Sequence, residues 1–109
     1  MANDIPAAVT GYFEADARRD VEGVVGLFTP DGEVVDEGET WQGTARIRAW
    51  REGPASRFVY TTELFDTTPD GNAQYVVTGR LKGNFPGGTA ELTWRFTLEG
   101  DRISRLHIA

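Results

Sequence analysis

The 109-residue sequence contains no cysteine and a single histidine. The first absence excludes a disulfide, a thiolate nucleophile and any cysteine-ligated metal. The second excludes a two-histidine iron triad and a histidine-rich zinc site. A Ser-His-Asp triad would have to join His107 to Ser56 or Ser104, and neither serine stands in a nucleophile-elbow context. Long apolar runs are also missing, since nothing approaches the roughly 20 residues of a membrane span. The opening "MANDIPAAV" lacks the basic start and apolar block of an export signal, so a cytoplasmic protein is expected. Positive charge is scarce as well: 17 acidic residues against 11 basic ones leave a net charge of −6. Such a field opposes nucleic acid and anionic membranes, both of which want a basic patch. Neither a metal nor another cofactor is expected. Carboxylate and tyrosine chemistry remains, or no chemistry.

What is present reads as one domain over 1–109, because the composition never breaks and the length is ordinary for a domain. Ile5, Ala8, Val9, Tyr12 and Phe13 recur at helical spacing and predict a helix over 5–19, with Asn3 or Asp4 as its cap. Asp20 is placed to cap a second helix over 21–28, whose stripe is Val21, Val24, Val25 and Phe28. "TPDG" at 29–32 reads as its stop. A short strand Glu33–Asp36 follows, then a loop or strand arm through Trp41. Thr44 is a candidate cap for a third helix over 44–52 with Ile47 and Trp50 on one side, ended by Gly53-Pro54. From there the period changes to two. Strands are expected at Phe58–Asp66, Tyr75–Asn84, Glu91–Leu98 and Arg102–Ile108, separated by "TPDGN", "FPGG" and "EGD".

Helices first and an antiparallel meander afterwards mean an α+β fold, with three N-terminal helices on one face of the sheet. Alternation puts Leu92, Trp94, Phe96 and Leu98 on the apolar face, with Tyr75, Val77, Gly79, Leu81 and Gly83 of the preceding strand. It also puts Ser104, Leu106 and Ile108 there, leaving Arg105 and His107 outside. Glycine inside a strand often marks a bend, so Gly79 and Gly83 predict a curled sheet with space above it. Such a cone, incompletely filled, is a pocket.

The order "AVTGYFEADARRDVEGVVGLFTPDGEVVDEGETWQGTARIRAW", followed by that meander and closed by "TWRFTLEGDRISRL", resembles the NTF2-like superfamily. Within it, the similarity runs to ketosteroid isomerase-like and SnoaL-like proteins, over nearly the whole chain. The resemblance implies a curved, mainly antiparallel cone, and a cone that hosts many activities. It implies that Tyr12 corresponds to an oxyanion-donating tyrosine and Asp36 to a carboxylate general base. A base removes a proton alpha to a carbonyl while the phenol stabilises the enolate oxygen. Aligned on the final hairpin, Trp94 stands where the isomerase-type site has its second, acidic donor.

Each candidate has an ordinary reading beside the functional one. Asp36 is a pocket base or the solvated end of a strand, and Tyr12 an oxyanion donor or a core tyrosine. Trp41, Trp50 and Trp94, together with Phe58, Phe96 and Leu106, are substrate-binding walls or simple core. Arg46, Arg48, Arg51 and Arg57 are an anion clamp at the pocket mouth or a solvated helix face. His107 is a functional group or belongs to a dimer interface or solvent. "GNFPGGT" is a hairpin loop and not a phosphate cradle, since no helix follows it. Two functions fit. One is a cofactor-independent protein that binds a small apolar carbonyl compound and abstracts a proton, as an isomerase, cyclase or lyase. The other is a binding or accessory dimerisation module without turnover. A homodimer through Val76, Thr78, Thr93 and Thr97 of the outer sheet face is expected, on the grounds that this surface carries few charges.

Overall fold

In a computed structural model, which describes residues 5–109, three helices lie against one face of a six-stranded mixed sheet. Helix α1 runs Ala7–Ala17, α2 Val21–Val25 and α3 Thr44–Glu52, followed by a 3-10 turn Pro54–Ser56. The strands are β1 Phe28–Asp36, β2 Glu39–Gln42, β3 Tyr60–Pro69, β4 Gln74–Gly83, β5 Thr89–Glu99 and β6 Arg102–Ile108. Their order across the sheet is β2-β1-β6-β5-β4-β3. Only β1 and β6 run parallel; the other neighbours are antiparallel. The sheet does not close on itself, and the α+β cone is the observed architecture.

Helix α1 starts on the Pro6 carbonyl, which accepts from Val9 and Thr10 N–H at 3.0 and 3.3 Å. The expected caps Asn3 and Asp4 lie outside the described residues. The helix ends at Ala17, short of residue 19, because Arg19 adopts φ +56°. Arg19 N–H then bonds Asp16 O, and Asp20 N–H bonds Ala15 O, a Schellman closure built without glycine. Asp20 caps α2 as expected, its carboxylate accepting from Gly23 N–H at 3.0 Å.

Four local expectations are corrected. Helix α2 stops at Val25, because Phe28 is drawn into parallel pairing with Ile103. "TPDG" is not a turn between elements but an irregular stretch inside β1, where the register with β6 slips between Phe28 and Glu33. Pro30 has no N–H to give a ladder, so the slip falls there. The residue before α3 is Gly43 at φ +89°, and Thr44 is already helical with no side-chain cap. Phe58 precedes β3, in a segment tied down by Arg19, whose guanidinium donates to Ser56 O and Phe58 O.

The core forms where the helical stripes meet the concave sheet face. Val9 and Tyr12 of α1, Val24 of α2, and Ile47 and Trp50 of α3 pack with Val34, Val77, Trp94, Phe96 and Leu106. Ile5 lies largely outside this cluster. Ser104 does not join the core. A register shift between Thr97 and Leu98 pairs Leu98 with Ile103, so Ile103 is fully buried and Ser104 Oγ donates to Thr97 O. The outer face carries more charge than the sequence suggests: Arg80 pairs with Glu91 and Glu63, Arg95 with Asp70, and Arg105 with Glu33. No helix among the described residues is long and apolar enough to cross a membrane.

Candidate functional site

Asp36 is the last residue of β1, and the chain reverses immediately after it. Glu37 and Gly38 take φ +52° and +79°, the two positive values that a two-residue type I′ hairpin requires. Asp36 is thereby paired with Glu39 on one side and Ile108 on the other. Across from it, α3 presents the buried Trp50, whose Nε1–H donates to Asp36 Oδ2 at 3.0 Å. Helix α3 is held by Gly43 N–H to Gly32 O at 2.8 Å and by Arg48 clasping Glu22 of α2 at 2.7 and 2.9 Å. So the indole is fixed from behind and holds one oxygen of the carboxylate.

Burial raises the Asp36 carboxyl above its ordinary range, and the neighbouring Glu37 charge adds to the rise. The hydrogen bonds from Trp50 and the Glu37 backbone pull it part of the way back. Its environment therefore favours the protonated form more than water does.

Both Asp36 and Tyr12 line a partly open cavity of about 270 Å³ between the helices and the concave face. Trp50, Trp94 and Phe58 are further walls, joined by Leu81, Leu92 and Ile108 from the sheet. Phe85 closes the rim with Phe58, their rings 5.9 Å apart. The walls are overwhelmingly apolar. Phe96 and Leu106 pair across β5 and β6 in the core and do not reach the cavity. Trp41 lies on β2, away from it, with the Arg46 guanidinium 5.3 Å over its ring.

Two glycines of β4 admit close neighbours beside this cavity. A Cβ on Gly79 would lie 2.5 Å from Glu63 O and 3.1 Å from the Trp94 ring, and one on Gly83 would collide with Val59 O and Tyr60. Strand β3 crosses close to β4 at both points, and the sheet curls there. Trp94 packs edge-on against Phe13 at 5.1 Å and forms a wall of the cavity.

Two polar residues that sequence reasoning passed over, Asp16 and Tyr60, and Arg51, read there only within the arginine run, complete the site. Asp16 and Tyr60 line the same cavity, and Arg51, fully buried, stands behind Asp16. Arg51 Nε lies 3.1 Å from Asp16 Oδ1, off the hydrogen-bond axis, while its Nη2 donates to Asp16 O at 3.1 Å. The other Nη donates to Ser56 Oγ and Ala55 O. Tyr60 O–H donates to the Asp16 carboxylate at 3.1 and 3.3 Å. The signal was available: Asp16 falls four residues after Tyr12 on the same stripe, and Arg51 four after Ile47.

Burial raises the Asp16 carboxyl, against the pull of Arg51 and the Tyr60 hydrogen bond. It also pushes the Tyr60 hydroxyl up to about 12, assisted by the Asp16 charge. Burial raises Tyr12 well above the usual tyrosine range, and Asp16, Tyr60 and, more weakly, Asp36 add to this. Among the described residues the Tyr12 hydroxyl has no hydrogen-bond partner.

The arginines do not converge as a clamp. Arg51 is buried on Asp16, Arg48 is spent on Glu22, Arg46 lies over Trp41 and Arg57 lies by Phe58. His107 sits on the outer face, opposite Arg95. Among the described residues no group of three carboxylate or imidazole side chains is placed to hold a metal ion.

The SnoaL-like domain profile matches residues 9–106. A candidate polyketide cyclase from Sinorhizobium meliloti is 36% identical and superposes with a TM-score of 0.90, over 97% of this chain and 96% of that one. A protein from Sphaerobacter thermophilus is 28% identical with a TM-score of 0.80, over 95% and 94%. The Delta 5-3-ketosteroid isomerase from a Mycobacterium species shares the fold at 19% identity and a TM-score of 0.79, over 94% and 89%. No functionally curated protein matches the chain in sequence.

Proposed function

The chain belongs to the SnoaL-like family, and from that premise we propose that it binds a small apolar carbonyl compound in this cavity and abstracts a proton alpha to the carbonyl. Asp36 is the base and Tyr12 the donor to the enolate oxygen. The observation that carries the reading is that both side chains line one largely apolar cavity, with Asp36 Oδ2 anchored by Trp50.

The electrostatics agree with those roles. A base is most useful when its pKa lies nearer the operating pH than a free carboxylate does, and burial moves Asp36 that way. Tyr12 is held protonated by its own burial, so it meets a developing oxyanion as a donor. Where isomerase-type sites carry a second acid, Trp94 supplies an apolar wall, and the enolate has one phenolic donor. The chemistry is of isomerase or cyclase type and needs no cofactor.

A second reading is a ligand-binding module without turnover. What favours it is Trp94 itself, which occupies the place of the second donor. The same outer sheet face that bears Thr78 opposite Thr93 is our proposed homodimer contact, with Arg95, opposite Val76, inside it.

Proton exchange separates the two readings. With alpha-tetralone and a panel of cyclic enones and diketones in deuterium oxide, the wild type is expected to place deuterium alpha to the carbonyl of at least one compound. Asp36→Asn should not, and Tyr12→Phe should be slower by about 10² to 10³. Binding without exchange would leave the module.

A further inference from the structure

Tyr60, Asp16 and Arg51 form a polar group at the same cavity that the proposed proton transfer does not use. Arg51 is fully buried and Asp16 nearly so. A buried guanidinium without a counter-charge is strongly unfavourable, so Asp16 is ionised beside it. An ionised carboxylate only accepts hydrogen bonds. The Tyr60 proton is therefore committed to Asp16, at 3.1 and 3.3 Å from its two oxygens. A phenol has one proton and an oxygen that also accepts. Toward the cavity, which it lines, Tyr60 can then only accept.

Tyr12 is the opposite case. Its hydroxyl has no partner among the described residues, and burial keeps its proton on. One cavity thus offers a ligand a donor at Tyr12 and an acceptor at Tyr60, between apolar walls. Asp36 enters the cavity from the end of β1, bonded to Trp50 and not to the Asp16 group. Gly83 leaves room for Tyr60 beside it, since a Cβ there would collide with the Tyr60 Cα and Cβ.

Resting on the function proposed above, we propose that Tyr60 is a specificity-determining residue selecting a compact ketone that also carries a free hydroxyl. The ketone oxygen faces Tyr12, and the hydroxyl donates to Tyr60. Size supports a compact ligand. An apolar cavity of about 150 Å³ holds one benzene, so about 270 Å³ suits a two-ring compound. A ligand with an ether in place of the hydroxyl offers Tyr60 no proton and leaves it unpaired.

The probes are alpha-tetralone, its phenolic regioisomers and their methyl ethers, with dissociation constants measured by calorimetry. At least one phenolic isomer should bind the wild type about tenfold tighter than alpha-tetralone, the scale of one net hydrogen bond. Its methyl ether should show no such gain. Tyr60→Phe, which keeps the ring, should remove the preference, so that the phenolic isomer and its parent ketone bind it alike. The ether comparison needs no variant, so a failure of Tyr60→Phe to fold does not shelter the idea. Equal binding of ketone, phenol and ether would overturn this inference while the carbonyl site stands, as would a preference that survives Tyr60→Phe. Failure of every ketone to bind would overturn both.

Discussion

Consider the removal of the Asp16 charge by the isosteric change Asp16→Asn. Arg51 is 0% exposed and Asp16 7%, and the pair is joined by the 3.1 Å approach of Nε to Oδ1. A guanidinium cannot shed its proton in a protein, so the variant buries an uncompensated positive charge. Breaking a buried pair from one side costs about 3–5 kcal/mol, a large part of the 5–15 kcal/mol that holds a typical domain. At about 4–8 °C per kcal/mol for a chain of this size, the melting temperature should drop by at least about 12 °C. Arg51→Met probes the other side and should differ in its pH response. It leaves a carboxyl that can neutralise itself, and loss of Arg51 removes the largest influence holding the Asp16 pKa down. With the folded pKa raised above the unfolded one, the native state binds the extra proton, and stability rises as pH falls. Arg51→Met should thus recover part of its loss between pH 8 and pH 5, and Asp16→Asn should not. Calorimetric melts of both variants at the two pH values are the assay. An Asp16→Asn melt within about 3 °C of wild type would refute the reasoning, because it would mean that the pair is effectively solvated.

Asp36→Asn should act in the opposite direction. The folded pKa is raised, so ionisation weakens the fold as pH climbs through the window above about 3.9. The variant should equal or exceed wild-type stability at pH 7, with the gain vanishing below that window, as thermal melts across pH will show. Gly83→Ala would push a methyl against Val59 O and Tyr60; denaturant unfolding should show a loss of about 1–3 kcal/mol. Sedimentation at micromolar concentration should find a species of twice the monomer mass, and a lone monomer would count against the proposed outer-face dimer.

Most of the fold was legible because its signals are periodic. Helical stripes led to Tyr12, Ile47 and Trp50, and strand parity led to Trp94 and Phe96. Parity failed at Ser104, where a slipped register inserts one residue and turns Ile103 inward. The turn reading failed at "TPDG", whose local propensity lost to parallel pairing with β6. Such slips are set by the partner strand, which a single segment does not encode. At the site, the family resemblance supplied Asp36 and Tyr12. The Asp16–Arg51–Tyr60 group was missed because charge was read as exposure. Asp16 continues the α1 stripe, yet only the buried arginine from α3 explains how a carboxylate sits there.

The central claim is that Asp36 takes a proton from a ketone held in this cavity. Its most direct test is the rate of deuterium uptake alpha to the carbonyl of alpha-tetralone, followed by NMR as a function of pH. The rate should rise through one ionisation lying above the ordinary aspartate value of about 3.9. The Trp50 indole resonance should move through the same midpoint, since its N–H is bonded to that carboxylate. Uptake in Asp36→Asn should fall to the buffer rate. If Asp36→Asn exchanges as fast as wild type while the ketone is bound, the base lies elsewhere and the account is wrong.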